Sequence, residues 1–322
     1  MSGFKLIRYP MEALKEHFGF SGLREGQDRV VAAIMEGRNV LVVMPTGGGK
    51  SLCYQLPALC REGVCLVVSP LIALMKDQVD ALVAKGIPAT MINSSLSFPE
   101  QKERLSGMKE GSYKLVYVAP ERFGHEGFMR ALAEVDVNMV AVDEAHCLSE
   151  WGHSFRPDYL GLPDFFKKYG FRSVMALTAT ATERVCRDLS GLFDVQEECV
   201  FRAAPYRENI LRHVEVLPER DKTARVIEFL RNEAHRPAVV YARTRKDAES
   251  LSYELGRAGF AAKSYHAGMP PETRAGVQDD FLKGTADVLV ATIAFGMGID
   301  KPDVRSVVHY HPPSSLEAYV QE

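Results

Sequence analysis

Val40-Leu41-Val42-Val43-Met44-Pro45-Thr46-Gly47-Gly48-Gly49-Lys50-Ser51 opens on four apolar residues, turns through three glycines and ends on a lysine and a hydroxyl. The apolar run bounded by turn residues reads as a buried strand, and the residues after Lys50 read as a helix. A glycine-rich turn between strand and helix bunches backbone N–H groups at the helix N-terminus, where they can surround phosphate oxygens. Thr46, Gly47, Gly48 and Gly49 line that turn. Lys50 can neutralise the far end of a triphosphate, and Ser51 can offer its hydroxyl to magnesium. Met44 stands where the strict form of this pattern has glycine.

A second apolar run, Met139-Val140-Ala141-Val142, ends on Asp143-Glu144-Ala145-His146. Shared placement after strands puts both motifs on one edge of a parallel sheet, the edge where such sheets bind ligands. Beside a phosphate loop, Asp143 can hold the shell of a magnesium ion and Glu144 can take a proton from water. The two segments together imply a nucleoside triphosphatase. Upstream, Phe20-Ser21-Gly22-Leu23-Arg24-Glu25-Gly26-Gln27 enters the helix before the loop strand. A glutamine amide matches the donor and acceptor edge of adenine, and an aromatic ring can stack on its face. The same segment also reads as an ordinary helix entrance.

The stretch from His146 to Tyr159 holds the lone tryptophan, Trp151, with His153, Phe155 and Arg156. Rings interleaved with glycine and arginine suit bases stacking on aromatics while arginine meets phosphate, although a packed loop with Trp151 in the core is the alternative. Leu177-Thr178-Ala179-Thr180-Ala181-Thr182 ends another strand on the same edge. Its hydroxyls can bridge the carboxylates, and Thr182 can cap a helix. Ala291 to Asp300 leaves a late strand with two glycines and an acid, a turn able to approach phosphates and bond a ribose.

At 322 residues the chain suggests two domains, and 46% apolar with 25% charged residues is average globular composition. No apolar stretch reaches membrane length, and Met1-Ser2-Gly3-Phe4-Lys5 lacks a secretion signal's apolar core, so an intracellular place is expected, the cytoplasm (nucleoid) if the source is bacterial. Six cysteines without CxxC spacing point to reduced, buried thiols and no structural zinc. A net charge of −3 argues against nucleic-acid binding by bulk charge. A local groove remains possible, because screening confines charge effects to about 8 Å.

Strands alternate with amphipathic helices from Arg38 to Arg202, and the rhythm restarts after a proline-containing connector. Candidate strands are Val40–Val43, 64–68, 115–118, 139–142 and 174–177, then 238–241, 261–265, 288–291 and 306–310. Helices are expected over 71–85, 248–258 and 271–282. The fold class is therefore α/β, with two parallel-sheet domains and a nucleotide cleft between them. The boundaries read as 1–203 for the first domain, 204–220 for the linker and 221–322 for the second.

These residues resemble the RecQ family of superfamily 2 DNA helicases. The resemblance rests on Leu23 to Gln27, Met44 to Ser51, Ser69 to Gln78, Ala119-Pro120-Glu121-Arg122, Asp143 to Tyr159, Tyr265-His266-Ala267-Gly268 and Ala294 to Pro302. It implies two RecA-like domains that use ATP and Mg2+ and move 3′ to 5′ along single-stranded DNA, acting also on partly duplex DNA, in repair or recombination. By the family pattern Phe20, Arg24 and Gln27 read adenine, Lys50 and Ser51 hold phosphates and metal, and Asp143 and Glu144 handle the water. His146, Trp151, Phe155 and Arg156 couple DNA to hydrolysis, with Thr178 and Thr180 beside them. Asn93, Ser94, Ser95, Arg122, His266 and Thr292 lie near the DNA, and Asp300 near the nucleotide.

Tyr206-Arg207-Glu208-Asn209-Ile210 departs from the Asp-Arg-Pro-Asn-Ile linker of the family. The sequence ends at Gln321-Glu322, before the family's Gly-Arg-x-Gly-Arg segment. Arginine fingers are worth about 10³ to 10⁵ in turnover, so these residues are expected to bind ATP better than they hydrolyse it. The rival readings are a nucleotide-gated DNA-binding module without turnover and an RNA helicase.

Overall fold

A computed structural model describes residues 9–152, 156–171, 173–203, 209–292, 295 and 301–322, with backbone alone at 73 and 321. The chain divides into two compact units, Met1–Pro205 and Tyr206–Glu322. In the first unit the strands are β1 (Val40–Val43), β2 (Val64–Val68), β3 (Ala89–Ile92), β4 (Leu115–Val118), β5 (Val137–Val142), β6 (Val174–Thr178) and β7 (Val200–Arg202). They form a parallel sheet in the order β3-β4-β2-β5-β6-β1-β7. Its helices are α1 (Pro10–Ala13), α2 (Gln27–Met35), α3 (Lys50–Cys60), α4 (Ile72–Ala84), α5 (Phe98–Lys109), α6 (Glu126–Leu132), α7 (Leu162–Lys168) and α8 (Glu183–Leu192). β1, β2 and β4 are apolar at every position because helices cover both faces of the sheet.

β3 and β7, the two edge strands, were not among the expected strands. An edge strand pairs on one side only and needs no unbroken apolar run, so Ala89-Thr90-Met91-Ile92 and Val200-Phe201-Arg202 carry little signal. Helix α5 is also additional, and it begins with a reciprocal cap between Ser97 and Glu100.

The second unit repeats the principle on a smaller scale, with α9 (Glu219–Leu230), β8 (Ala238–Tyr241), α10 (Arg245–Arg257), β9 (Ala262–Tyr265), α11 (Pro271–Lys283), β10 (Val288–Ala291), β11 (Ser306–His309) and α12 (Leu316–Gln321). The parallel order is β11-β8-β10-β9. Alternation splits its core across the sheet. Val240, Val288 and Val290 pack with Leu230, Leu251 and Leu255 on one face, while Val239, Leu289 and Ala291 pack with Val277 and Phe281 on the other.

In the first sheet β6 lies between β1 and β5, so three strand ends, at Val43, Val142 and Thr178, open side by side. Asn39 sets the start of this group. Its amide donates to the Phe193 carbonyl at 2.8 Å and its carbonyl oxygen accepts from the Val174 N–H at 2.9 Å. Asn39→Ala removes both partners, and a loss of about 1–3 kcal/mol is expected. Urea unfolding followed through Trp151 checks this; a midpoint unchanged from the parent contradicts it.

Candidate nucleotide and nucleic-acid site

The loop after β1 is shaped by backbone constraints. Met44 N–H reaches the Thr178 carbonyl at 3.1 Å, and Gly48 N–H closes a turn on the Pro45 carbonyl at 2.9 Å. Gly49 takes φ +83°, where any side chain is strained, and a Cβ there would lie 2.3 Å from Gln27 Nε2 and displace that amide. The Arg24 guanidinium donates to the Gly47 carbonyl at 2.7 Å. Gln27 is buried, accepting the Arg24 N–H at 2.8 Å and donating to the Gly49 carbonyl at 3.2 Å. Sequence reasoning gave Arg24 and Gln27 to adenine; here both brace the loop, while the Phe20 ring is exposed. Lys50 heads α3 and donates to the Met44 carbonyl at 2.9 Å, and Ser51 follows in the first turn.

The carboxylates sit two strands away. Asp143 N–H extends the pairing of β5 with β2 through the Val68 carbonyl at 2.8 Å. Glu144 then adopts φ 49° and ψ 43°, a left-handed conformation that costs a non-glycine residue about 1–3 kcal/mol and is typical of functional turns. Burial pushes the Asp143 carboxyl above its ordinary value, with Lys50 pulling against it. Burial does the same to Glu144, helped by the adjacent Asp143 charge and opposed by Lys50 and Arg156.

Thr178 Oγ1 donates to the Thr180 carbonyl at 2.9 Å and lies 2.9 Å from His146 Nδ1. The contact ties His146 to Thr178 whichever of the two supplies the proton. Glu144 Oε2 lies 3.3 Å from the same nitrogen and is buried without a hydrogen-bond partner.

The set suits phosphates and a divalent ion. Side-chain-free turns, a lysine, a hydroxyl and two under-compensated carboxylates are hard oxygen and cation chemistry. Among the described residues no group of three or more His, Cys, Asp or Glu could hold a metal alone. Such a site matches an ion whose shell is completed by phosphate oxygens.

The aromatic loop leaves directly from this site. Ser149 Oγ donates to Asp188 on α8 at 2.7 Å and accepts the Trp151 N–H at 3.2 Å. A Cβ on Gly152 would fall 2.0 Å from the His146 carbonyl, so only glycine permits the turn. Arg156 N–H returns to the Cys147 carbonyl at 3.0 Å. Trp151 is 55% exposed, with the Arg184 guanidinium over its ring; it is not a core residue. His146 is buried at the other end of the same segment. Phe155 lies outside the described residues, as does Asp300.

The remaining candidates fall at strand ends. Asn93 follows β3 and Arg122 follows β4, its neighbour; both are buried with an unpartnered nitrogen, Asn93 Nδ2 and Arg122 Nε. Ser95 bonds Asn93 Oδ1, and Ser94 is exposed. In the second unit His266 and Thr292 follow the adjacent strands β9 and β10, with His266 Nε2 3.0 Å from Glu249. Thr180 is buried, and Thr182 caps α8 by accepting the Val185 N–H at 3.3 Å. Sequence reasoning missed Gln101, which accepts from Arg122 at 2.7 Å, and the α8 residues Arg184 and Asp188. Only Gln101 had a signal, the capping pattern of Ser97 and Glu100 that starts its helix.

Fold and strand-end constellation define a nucleoside-triphosphate-binding core built from two RecA-like parallel sheets. Residues 24–189 match the DEAD/DEAH box helicase family and residues 221–322 match the helicase conserved C-terminal domain. The chain belongs to the DEAD/DEAH box helicases and, among them, to the RecQ family. It is 45% identical over 319 residues to the ATP-dependent DNA helicase RecQ of Bacillus subtilis, covering 98% of this chain and 54% of that protein. To its Pasteurella multocida namesake it is 42% identical over 313 residues, covering 97% and 49%. The chain thus spans about half the length of these curated relatives. Among solved structures, S. cerevisiae Dbp5 bound to RNA and ADP BeF3 superposes with TM-score 0.73 at 18% identity, covering 96% of this chain and 82% of that one. Mycobacterium smegmatis Lhr bound to ssDNA and AMP-PNP gives 0.70 at 23%, covering 94% and 44%. These two speak for the fold alone.

Glu144 generates a pH dependence of stability. With its proton affinity raised in the fold, the native chain holds a proton that the unfolded chain releases above about pH 4.3, so stability falls as pH rises from there towards neutrality. Glu144→Gln escapes this loss. In chelator at pH 8 it should be more stable than the parent by about 1–3 kcal/mol, with the gap closing at pH 5. Melting curves at the two pH values decide; a gap that does not change with pH refutes the argument.

Proposed function

We propose that the chain is the motor core of an ATP-dependent DNA helicase, coupling ATP hydrolysis to 3′-to-5′ movement on single-stranded DNA in repair and recombination. The observation that carries this reading is that Glu144 and Trp151 belong to one short segment. Its first end is buried with an unpartnered carboxylate oxygen, and its second end is an exposed ring. The names of the relatives, ATP-dependent DNA helicase RecQ, support the same conclusion. Direction of travel and cellular role follow the family resemblance.

Lys50 and the N–H groups of Gly47 and Gly49, joined by that of Gly48 once it leaves the Pro45 carbonyl, would hold the triphosphate, and Ser51 and Asp143 a magnesium ion. Bound there, the ion would neutralise phosphate charge and share the field of the two carboxylates. Glu144 Oε2, without a hydrogen-bond partner, would orient water and accept its proton; a raised proton affinity suits a base working near neutral pH. Phe20 would stack on the adenine. His146 would pass changes at Glu144 to Thr178, and Trp151 and Arg156 would meet the strand. Asn93, Arg122, His266 and Thr292 would contact its backbone. Protein partners are not identified by any of these groups.

ATP hydrolysis measured with and without oligo-dT tests the proposal. DNA should stimulate the parent, and Glu144→Gln should lower the stimulated rate by about 10²–10⁴-fold while nucleotide still binds. Trp151→Ala should keep the DNA-independent rate and lose the stimulation. Equal stimulation by RNA, or a Glu144→Gln variant as active as the parent, would overturn it.

A further inference from the structure

We propose that Arg184 completes a nucleotide subsite with Trp151, in which the indole takes a base and the guanidinium takes the adjoining phosphate of single-stranded DNA; this rests on the single-strand reading above. The guanidinium carbon lies 3.1 Å from the centre of the indole ring, so the planar cation covers one face. A guanidinium laid on a ring keeps its N–H donors in its own plane, pointing outward from the stack. Among the described residues those donors show no hydrogen bond and no ion pair.

Charges of both signs lie around that rim. The acids of α8 are already engaged, Glu183 by both prongs of Arg202 and Asp188 by the Ser149 hydroxyl. Glu150, exposed next to Trp151, makes no ion pair among the described residues. Arg184 makes no ion pair among the described residues and lies over an aromatic ring that remains 55% exposed. A base on the indole would bring its phosphate chain alongside, which is how sequence-tolerant strand sites combine stacking with charge.

The subsite is also held in place. Arg184 and Asp188 are four residues apart, so one face of α8 carries both the cation over Trp151 and the acceptor for Ser149 two residues earlier. Because Trp151 N–H is bonded to Ser149 Oγ, the ring and the cation are registered by the same helix.

Binding of labelled oligo-dT to the full chain, measured across a range of salt, tests this. One phosphate contact contributes about 0.7 to the slope of log affinity against log salt, or about fivefold in affinity at ~0.1 M salt. Arg184→Met, which keeps packing on the indole, should weaken binding by about that factor and make the slope shallower by about 0.7. Arg184→Lys should restore the slope. Trp151→Ala should weaken binding about tenfold with the slope unchanged, since stacking releases no counterions. If Arg184→Met binds as the parent does while Trp151→Ala binds weakly, the Arg184 subsite is wrong and the single-strand reading stands. If neither variant changes binding, both are wrong.

Discussion

Asp143 and Glu144 are largely withdrawn from water without a matched pair of cations, and the first unit is arranged around that condition. Lys50 and Arg156 offset part of the cost, but both carboxyls still hold their protons more tightly than in water. Glu144 adds backbone strain to the electrostatic cost. Such a pair persists only where the surrounding structure leaves no alternative. The parallel sheet supplies that rigidity: β5 is enclosed by β2 and β6, and its last pairing runs through Asp143 N–H itself. Placing β6 between β1 and β5 also puts Thr178 next to both motifs, one through the Met44 N–H and the other through His146.

From this fixed edge the aromatic segment departs with a different balance of forces at each end. His146 and Cys147 are buried, and His146 is tied to Thr178. Five residues after His146, the Trp151 ring is 55% exposed and is anchored, among the described residues, through Ser149 and α8. Gly152 forces the chain back upon the His146 carbonyl, so the segment is a tight turn and not a slack loop. Helix α8 is itself capped by Thr182, two residues beyond Thr180, whose N–H and carbonyl both bond Thr178. The two ends of the segment are thus connected twice, along the chain and through β6 and α8. A change at Glu144 and a load on Trp151 act on one small set of hydrogen bonds.

Much of this was legible beforehand because glycine and buried strands leave few alternatives. Three glycines before Lys50, and a carboxylate directly after four buried residues, each admit one economical geometry, and the sheet edge followed from both. What escaped was whatever depends on direction. Gln27 has the right chemistry for adenine, and sequence does not show that its amide also reaches the Gly49 carbonyl. Arg184 and Asp188 look like ordinary surface charges of an amphipathic helix, and nothing in their spacing shows that a loop 30 or more residues earlier packs on them. Edge strands β3 and β7 were invisible for a related reason: each pairs on one side only and carries no unbroken apolar run.

The two ends of the aromatic segment also leave opposite charges unbalanced, and the difference between burial and exposure gives each a distinct consequence. At Glu144 an acid lacks compensation inside the fold, where desolvation makes the deficit costly and a single incoming cation can relieve much of it. At Arg184 a cation lacks a partner in solvent, where water and salt already screen it and the cost is small. An overall charge of −3 conceals both, because the α8 acids Glu183 and Asp188 are bonded by Arg202 and Ser149 while Arg184 makes no ion pair among the described residues. A mildly acidic molecule can therefore attract a metal–phosphate group at one end of a short segment and a polyanion at the other. Neither attraction requires the bulk positive charge that composition would otherwise demand.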